Sequence, residues 1–244
     1  MTLSNIYTTG EYTKKNHSYH IEDSVFKWSN FFRILKKSSL DLSNVNSVTE
    51  VGCGSGQILV EAKLSGLFNN ECKFEGYDIN PDAINLAKKN SKEINFFNED
   101  FVGSSKNISD LVIAADVFEH VENSYNFLKE LKKKSNFFLF NIPLEINLLS
   151  MVRKKNIFEN SFEKVGHLHF YTKKTAILLL KSCGYEIIKY EYANIRFKEV
   201  KDKKSFKQFL VSIPQYLISI FNNNLACSIF GGYSLVVLAK KRIN

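Results

Sequence analysis

Ser47-Val-Thr-Glu-Val-Gly-Cys-Gly-Ser-Gly56 decides the fold. A short apolar run enters a turn with glycine at positions 52, 54 and 56, and a segment of helical periodicity follows from Gln57 to Ser65. Glycine at every second position removes side chains, so backbone can approach a ligand closely and a helix can start against the strand. Counted from Gly52, the sixth position is Gln57, so the spacing is GxGxG and not the dinucleotide fingerprint GxGxxG, and no GKS or GKT follows to make a Walker loop. Glu50, just ahead of the turn, would repel a pyrophosphate. The turn therefore suits a nucleoside-bearing ligand with a positive group.

Outward from this turn, apolar runs alternate with helical segments. The runs are Ser47–Val51, Phe74–Ile79, Ile94–Phe97, Leu111–Ala115, Phe137–Ile142, Tyr185–Tyr190 and Tyr233–Ala239. Helices are predicted at Gln57–Ser65, Pro81–Lys89, Tyr125–Lys133 and Lys173–Cys183. The pattern predicts an α/β protein with a doubly wound, seven-stranded, mostly parallel sheet of Rossmann-like type. Asn80 can cap the second helix, with Pro81 at its first position, and Gly184 suits the left-handed end of the fourth. The 244 residues are enough to bury a core without staples, and Cys53, Cys72, Cys183 and Cys227 lie apart with no ligand-like spacing, so no metal is expected.

Two segments stand outside the alternation. Residues 1–45 are rich in aromatics and are expected to form an N-terminal helix and a substrate lid, ahead of a catalytic domain over 46–244. Residues 195–232 form an insertion before the last strand, with Phe206, Phe209, Leu210, Ile213, Leu217, Ile220 and Phe221 on one helical face. Such a stripe is core or an interface, and a homodimer through 195–232 is one reading of it. No charge occurs from Gln208 to Ala239, but Pro214, Asn222-Asn223-Asn224 and Gly231-Gly232 divide the stretch into pieces too short for the roughly 20 residues of a membrane-spanning helix. The start of the chain lacks a basic region followed by an apolar core, so a cytoplasmic protein is expected. Lys and Arg total 33 against 25 acidic residues, a net charge of +8, but they are scattered in twos and threes as on solvated helix faces, and no nucleic-acid module is visible.

The glycine turn resembles motif I of the class I S-adenosylmethionine-dependent methyltransferases, and three further segments match in order. Gly76-Tyr-Asp-Ile-Asn-Pro81 is similar to motif II, Asn98-Glu-Asp-Phe101 to the next, and Ala115-Asp-Val-Phe-Glu-His-Val121 to the D-x-x-E-H segment of small-molecule enzymes of the ubiquinone-biosynthesis type. Gly166-His-Leu-His-Phe-Tyr-Thr172 resembles a stretch that the same subgroup carries before its sixth strand. The resemblance covers roughly 46–193 and the last strand, and is poor over 195–232.

It implies that S-adenosylmethionine is held by Glu50, Gly52, Gly54, Gly56, Asp78, Ile79, Asp100, Phe101 and Asp116, and leaves as S-adenosylhomocysteine. Asp78 would accept the ribose hydroxyls, Asp100 would meet the adenine amino group and Phe101 would flank the ring. His120 is the expected proton acceptor for a hydroxyl, with His167 or His169 as candidates for the same contact. Tyr12, His20 and Glu22 in the lid, with Glu119, are candidate substrate contacts. The beginning of the chain looks like methyltransferases found with bacterial surface-polysaccharide genes. The expected reaction is O-methylation of a small carbohydrate- or nucleotide-linked metabolite; the alternatives are N-methylation of a small molecule, RNA methylation, or a partner protein that binds S-adenosylmethionine without catalysis.

Overall fold

A computed structural model describes residues 21–104, 108–152, 157–195 and 206–242. Seven strands form one sheet: β1 (Ser47–Val51), β2 (Lys73–Tyr77), β3 (Asn95–Phe97), β4 (Ser109–Ala115), β5 (Ser135–Leu144), β6 (Tyr185–Asn194) and β7 (Tyr233–Lys241). Their order is β3-β2-β1-β4-β5-β7-β6. The first five run parallel, while β7 is antiparallel to both β5 and β6, so the sheet is mixed at one edge. The helices are α1 (Ile21–Lys36), α2 (Gln57–Leu64), α3 (Pro81–Asn90), α4 (Ser124–Leu131), α5 (Leu148–Val152), α6 (Ile157–Val165), α7 (Lys173–Ser182), α8 (Phe206–Phe221) and α9 (Asn223–Phe230).

Side-chain alternation divides the core into two layers. Leu111 and Ile113 of β4, Leu139 of β5 and Val236 and Leu238 of β7 join Trp28, Phe31, Ile34 and Leu35 of α1, with α2 and α3, on one face. Val112, Ala114, Phe138, Phe140, Val237 and Ala239 pack on the other face with α4, α7 and α9. Both faces are covered, which is why these strands read as nearly continuous apolar runs.

Local chemistry sets the helix boundaries. Asn80 accepts from Asp82 N at 2.9 Å and Pro81 opens α3. Thr172 and Thr175 form a reciprocal capping box at the start of α7. Gly184 follows α7 with φ +88°. The chain leaves β1 toward β2 and β3 on one side and returns to β4 on the other. The crevice beyond the carboxyl ends of β1 and β4 is therefore the switch point at which such sheets bind ligands.

Candidate active site

The turn after β1 is pinned to β2, because Gly52 N and Cys53 N both donate to Tyr77 O, at 2.8 and 3.1 Å. Gly52, Gly54 and Gly56 have φ of +66°, +53° and +72°. A Cβ on Gly52 would stand 2.8 Å from Val117 Cγ2, and one on Gly56 would stand 2.5 Å from the Phe96 ring. A Cβ on Gly54 would meet nothing within 4 Å. Of the three, only Gly54 faces open space, while Val117 and Phe96 close on Gly52 and Gly56.

Asp78, just past β2, locks this turn. Its Oδ2 accepts from Gly54 N at 2.9 Å and its Oδ1 from Asn80 N at 2.8 Å. Burial pushes its pKa up from the ordinary value, and the two backbone N–H groups oppose that rise.

Glu50 is 1% exposed, and its Oε2 has no hydrogen-bond partner among the described residues. Burial pushes its carboxyl well above the usual carboxylate range, opposed by the charge of Lys27. Lys27 had only a weak sequence signal, the Asp23–Lys27 helical spacing, because it lies on α1, 89 residues before Asp116. Its Nζ stands 2.7 Å from Asp116 Oδ2. Burial opposes the ammonium charge, but Asp116, Asp23 and Glu119 hold the pKa above the ordinary lysine value.

Asp116 is the one non-glycine residue with positive φ among the described residues, at +56°. Asp tolerates this region better than most residues, though at some cost in strain. Asp116 N donates to Asn141 O at 3.0 Å, and Asn141 Nδ2 donates to Asp116 Oδ1 at 2.6 Å.

Beyond Asp116 the chain pairs with the segment before α7. Leu168 N and His169 N donate to Glu119 O at 2.8 and 3.1 Å, which brings His120 and His167 together with ring centroids 4.7 Å apart. His120 Nδ1 lies 3.1 Å from Gly166 O, so that nitrogen is the donor. Burial, with His167 adding to it, pushes the His120 pKa down to about 4. His167 Nδ1 lies 2.7 Å from Glu145 Oε2, and Ser161 Oγ donates to the other Glu145 oxygen at 2.6 Å. Glu119 is fully buried with neither oxygen hydrogen-bonded among the described residues; burial and Asp116 hold its carboxyl well above the usual range. One ligand atom each from Glu119, His120 and His167 lies within 4.8 Å of the others, a group able to hold a metal ion.

The other expected residues separate. His169 is drawn away, its Nε2 bonded to Val121 O at 2.8 Å and its ring stacked near Tyr171, so it fixes the loop instead of joining the histidine pair. Phe101, expected to flank a ligand ring, is 1% exposed and packs on Tyr77, so it belongs to the core. Ile79 is 46% exposed at the end of β2 and supplies an apolar surface there. Asp100 is exposed, and its Oδ1 accepts from Val102 N at 3.0 Å. Glu22 stands in the first turn of α1, whereas Tyr12 and His20 lie outside the described residues.

A family model described as a methyltransferase domain matches residues 27–190, about two thirds of the chain. A probable cobalt-precorrin-6B C(15)-methyltransferase (decarboxylating) of Saccharolobus solfataricus is 36% identical over 66 residues, 27% of this chain and 32% of that protein. The match thus spans about a third of that curated relative. Among solved structures, magnesium protoporphyrin IX methyltransferase from Synechocystis PCC 6803 with bound S-adenosylhomocysteine aligns with a TM-score of 0.59 at 13% identity, over 98% of this chain and 97% of that one. A methyltransferase in complex with the Haloferax volcanii Trm112 activator aligns with a TM-score of 0.62 at 11% identity, over 99% and 98% of the two chains. At these identities the structural likeness speaks to the fold. Together with the family match and the glycine turn at the switch point, it shows that the chain belongs to the class I S-adenosylmethionine-dependent methyltransferases.

Proposed function

We propose that the chain methylates a hydroxyl of a small carbohydrate- or nucleotide-linked metabolite in the cytoplasm, the kind of precursor used for surface polysaccharide. The observation that carries the hydroxyl reading is the contact between Glu145 and His167 beside His120. A hydroxyl must lose its proton as the new bond forms, and an imidazole oriented by a carboxylate is built to take it. With Nδ1 donating to Glu145, His167 presents the Nε2 lone pair. His120, kept neutral by burial, sets the position of its neighbour. The surplus of basic residues suits an anionic acceptor.

When bound, S-adenosylmethionine supplies a methyl group on a sulfonium, so the protein's part is alignment, charge compensation and exclusion of water. Two features support the fit: the open space above Gly54 and the unpartnered oxygen of buried Glu50. Asp78 would take the ribose hydroxyls, and Ile79 and Asp100 would border the adenine. Glu50 would face the ammonium, and Lys27 would be the cation within reach of the carboxylate at the amino-acid end. Tyr12, His20 and Glu22 remain the candidate contacts for the acceptor.

A second reading of the acceptor end rests on Glu119. Its two buried, unpartnered oxygens stand with two imidazoles held by their Nδ1 atoms to a carbonyl and a carboxylate, an outer-shell pattern common for metal ligands. A divalent cation held there by Glu119, His120 and His167 would acidify the hydroxyl directly.

Calorimetry with S-adenosylhomocysteine should show Asp78→Ala and Gly54→Val binding at least about 10²-fold more weakly than wild type, about 2.7 kcal/mol; wild-type affinity in both would remove the assigned cradle. The raised pKa of Glu50 gives a sign for pH. The ionised carboxylate favours the ammonium, so affinity should rise as pH is raised through the Glu50 titration, which lies above the ordinary carboxylate range. Glu50→Gln should flatten that rise, and an unchanged pH profile would place the ammonium elsewhere. His167→Ala should keep donor affinity and lose roughly 10²- to 10⁴-fold in turnover, while His169→Ala should lose little. A chelator separates the two readings: turnover that survives it supports His167 as the proton acceptor, and turnover lost and restored by a divalent cation supports the metal.

A further inference from the structure

Over residues 212–221 helix α8 carries an unusual pattern. Among the residues whose burial is described, the two fully buried ones are polar: Ser212 and Gln215 face inward, with Ile218 partly buried beside them, and Gln215 Nε2 donates to Gly231 O at 2.9 Å, tying α8 to the end of α9. Its exposed residues are apolar, with Ile213, Tyr216, Leu217, Ile220 and Phe221 at the three- and four-residue spacing of a single stripe. Ile220 is 60% exposed and Phe221 89%. A helix facing water carries the opposite pattern.

Exposed apolar residues also lie on neighbouring helices. Helix α9 packs against both α8 and α5, and Leu225 on α9 and Leu148, Met151 and Val152 on α5 are exposed. A basic border adjoins it. The groove between α7 and α9 is lined by Thr172, Lys173, Lys174, Ile177, Asn224 and Ser228 among others, and no acidic residue lines it. An uncharged apolar surface bordered by lysine is complementary to a bilayer with anionic headgroups. In a two-fold dimer on the same surface, the lysine borders of two copies would lie against one shared interface and repel. The 16 residues of α8 extend about 24 Å, short of the roughly 30 Å hydrocarbon layer, and none of the described helices is long and apolar enough to cross a membrane.

We propose that α8, α9 and α5 dock the chain on the surface of an anionic bilayer. Helix α8 lies in the plane of the interface with its stripe at the acyl boundary, and Lys173 and Lys174 meet the headgroups. The docking surface is separate from the donor site and does not depend on the methyl-transfer reading.

The test is co-sedimentation of the full chain with large vesicles of phosphatidylcholine alone, or with about a third phosphatidylglycerol. Wild type should partition at least about tenfold more strongly onto the anionic vesicles, and added salt should weaken the binding. The double variant Leu217→Ser/Phe221→Ser should lose at least about tenfold, as expected from removing two exposed apolar anchors, and Lys173→Gln/Lys174→Gln should lose the preference for anionic lipid. Both positions of the first variant are exposed, so its thermal midpoint and its calorimetric affinity for S-adenosylhomocysteine should match wild type. Wild type that stays in the supernatant with both vesicles overturns the proposal. So does a dimer in sedimentation equilibrium that Leu217→Ser/Phe221→Ser dissociates, since the stripe would then be a contact between copies.

Discussion

One half-buried ammonium ties the site together. Lys27 Nζ lies against Asp116 at the end of β4, within electrostatic reach of Glu119 and Asp23, and its charge opposes the rise in the Glu50 pKa at the end of β1. Burying carboxyl groups this close together without a cation would favour their neutral forms. The cation comes from outside the sheet, so α1 must be placed accurately. Trp28, Phe31, Ile34 and Leu35 do that by entering the core layer shared with α2 and the sheet. The apolar face of α1 and its single inward lysine are thus two parts of one device, and the left-handed conformation of Asp116 is tolerated because Asn141 and Lys27 hold it from two sides.

Two halves of the crevice have different physical characters. The half over β1 and β2 is made of backbone in tight turns, with Asp78 bonded to Gly54 N and Asn80 N, which suits recognition of a common nucleoside-bearing donor. The half over β4 and β5 is made of side chains, with His120, His167 and Glu145 brought in by three separate segments. Backbone bonds from Leu168 and His169 to Glu119 O hold those segments together. A family can keep the first half while varying the second.

Much of the fold was legible in the amino-acid order because burial on both faces of a sheet leaves unbroken apolar runs. Strand β1 begins and ends where its run does, and Asn80-Pro81 marks the start of α3. The antiparallel direction of β7 was not legible, since an apolar run carries no sign of its direction. Of the glycines, spacing alone could not tell Gly54, which faces open space, from Gly52 and Gly56, which Val117 and Phe96 require. Phe101 read as a ligand contact through the resemblance of Asn98-Glu-Asp-Phe101 to a family motif, yet it packs on Tyr77 in the core. Lys27 and Glu145 were missed for a common reason: each acts through a partner distant in sequence, Asp116 for one and His167 for the other. The stripe on α8 was visible as a pattern, but only the burial of Ser212 and Gln215 revealed which face turns outward.

The most direct measurement of the account is a crystal structure of the complex with S-adenosylhomocysteine. It should place the ribose hydroxyls within hydrogen-bond distance of Asp78 and the amino-acid end between Glu50 and Lys27, with Lys27 moved off Asp116. Density for the nucleoside at another edge of the sheet, or a Lys27–Asp116 contact unchanged beside a ligand whose amino group avoids Glu50, would contradict it.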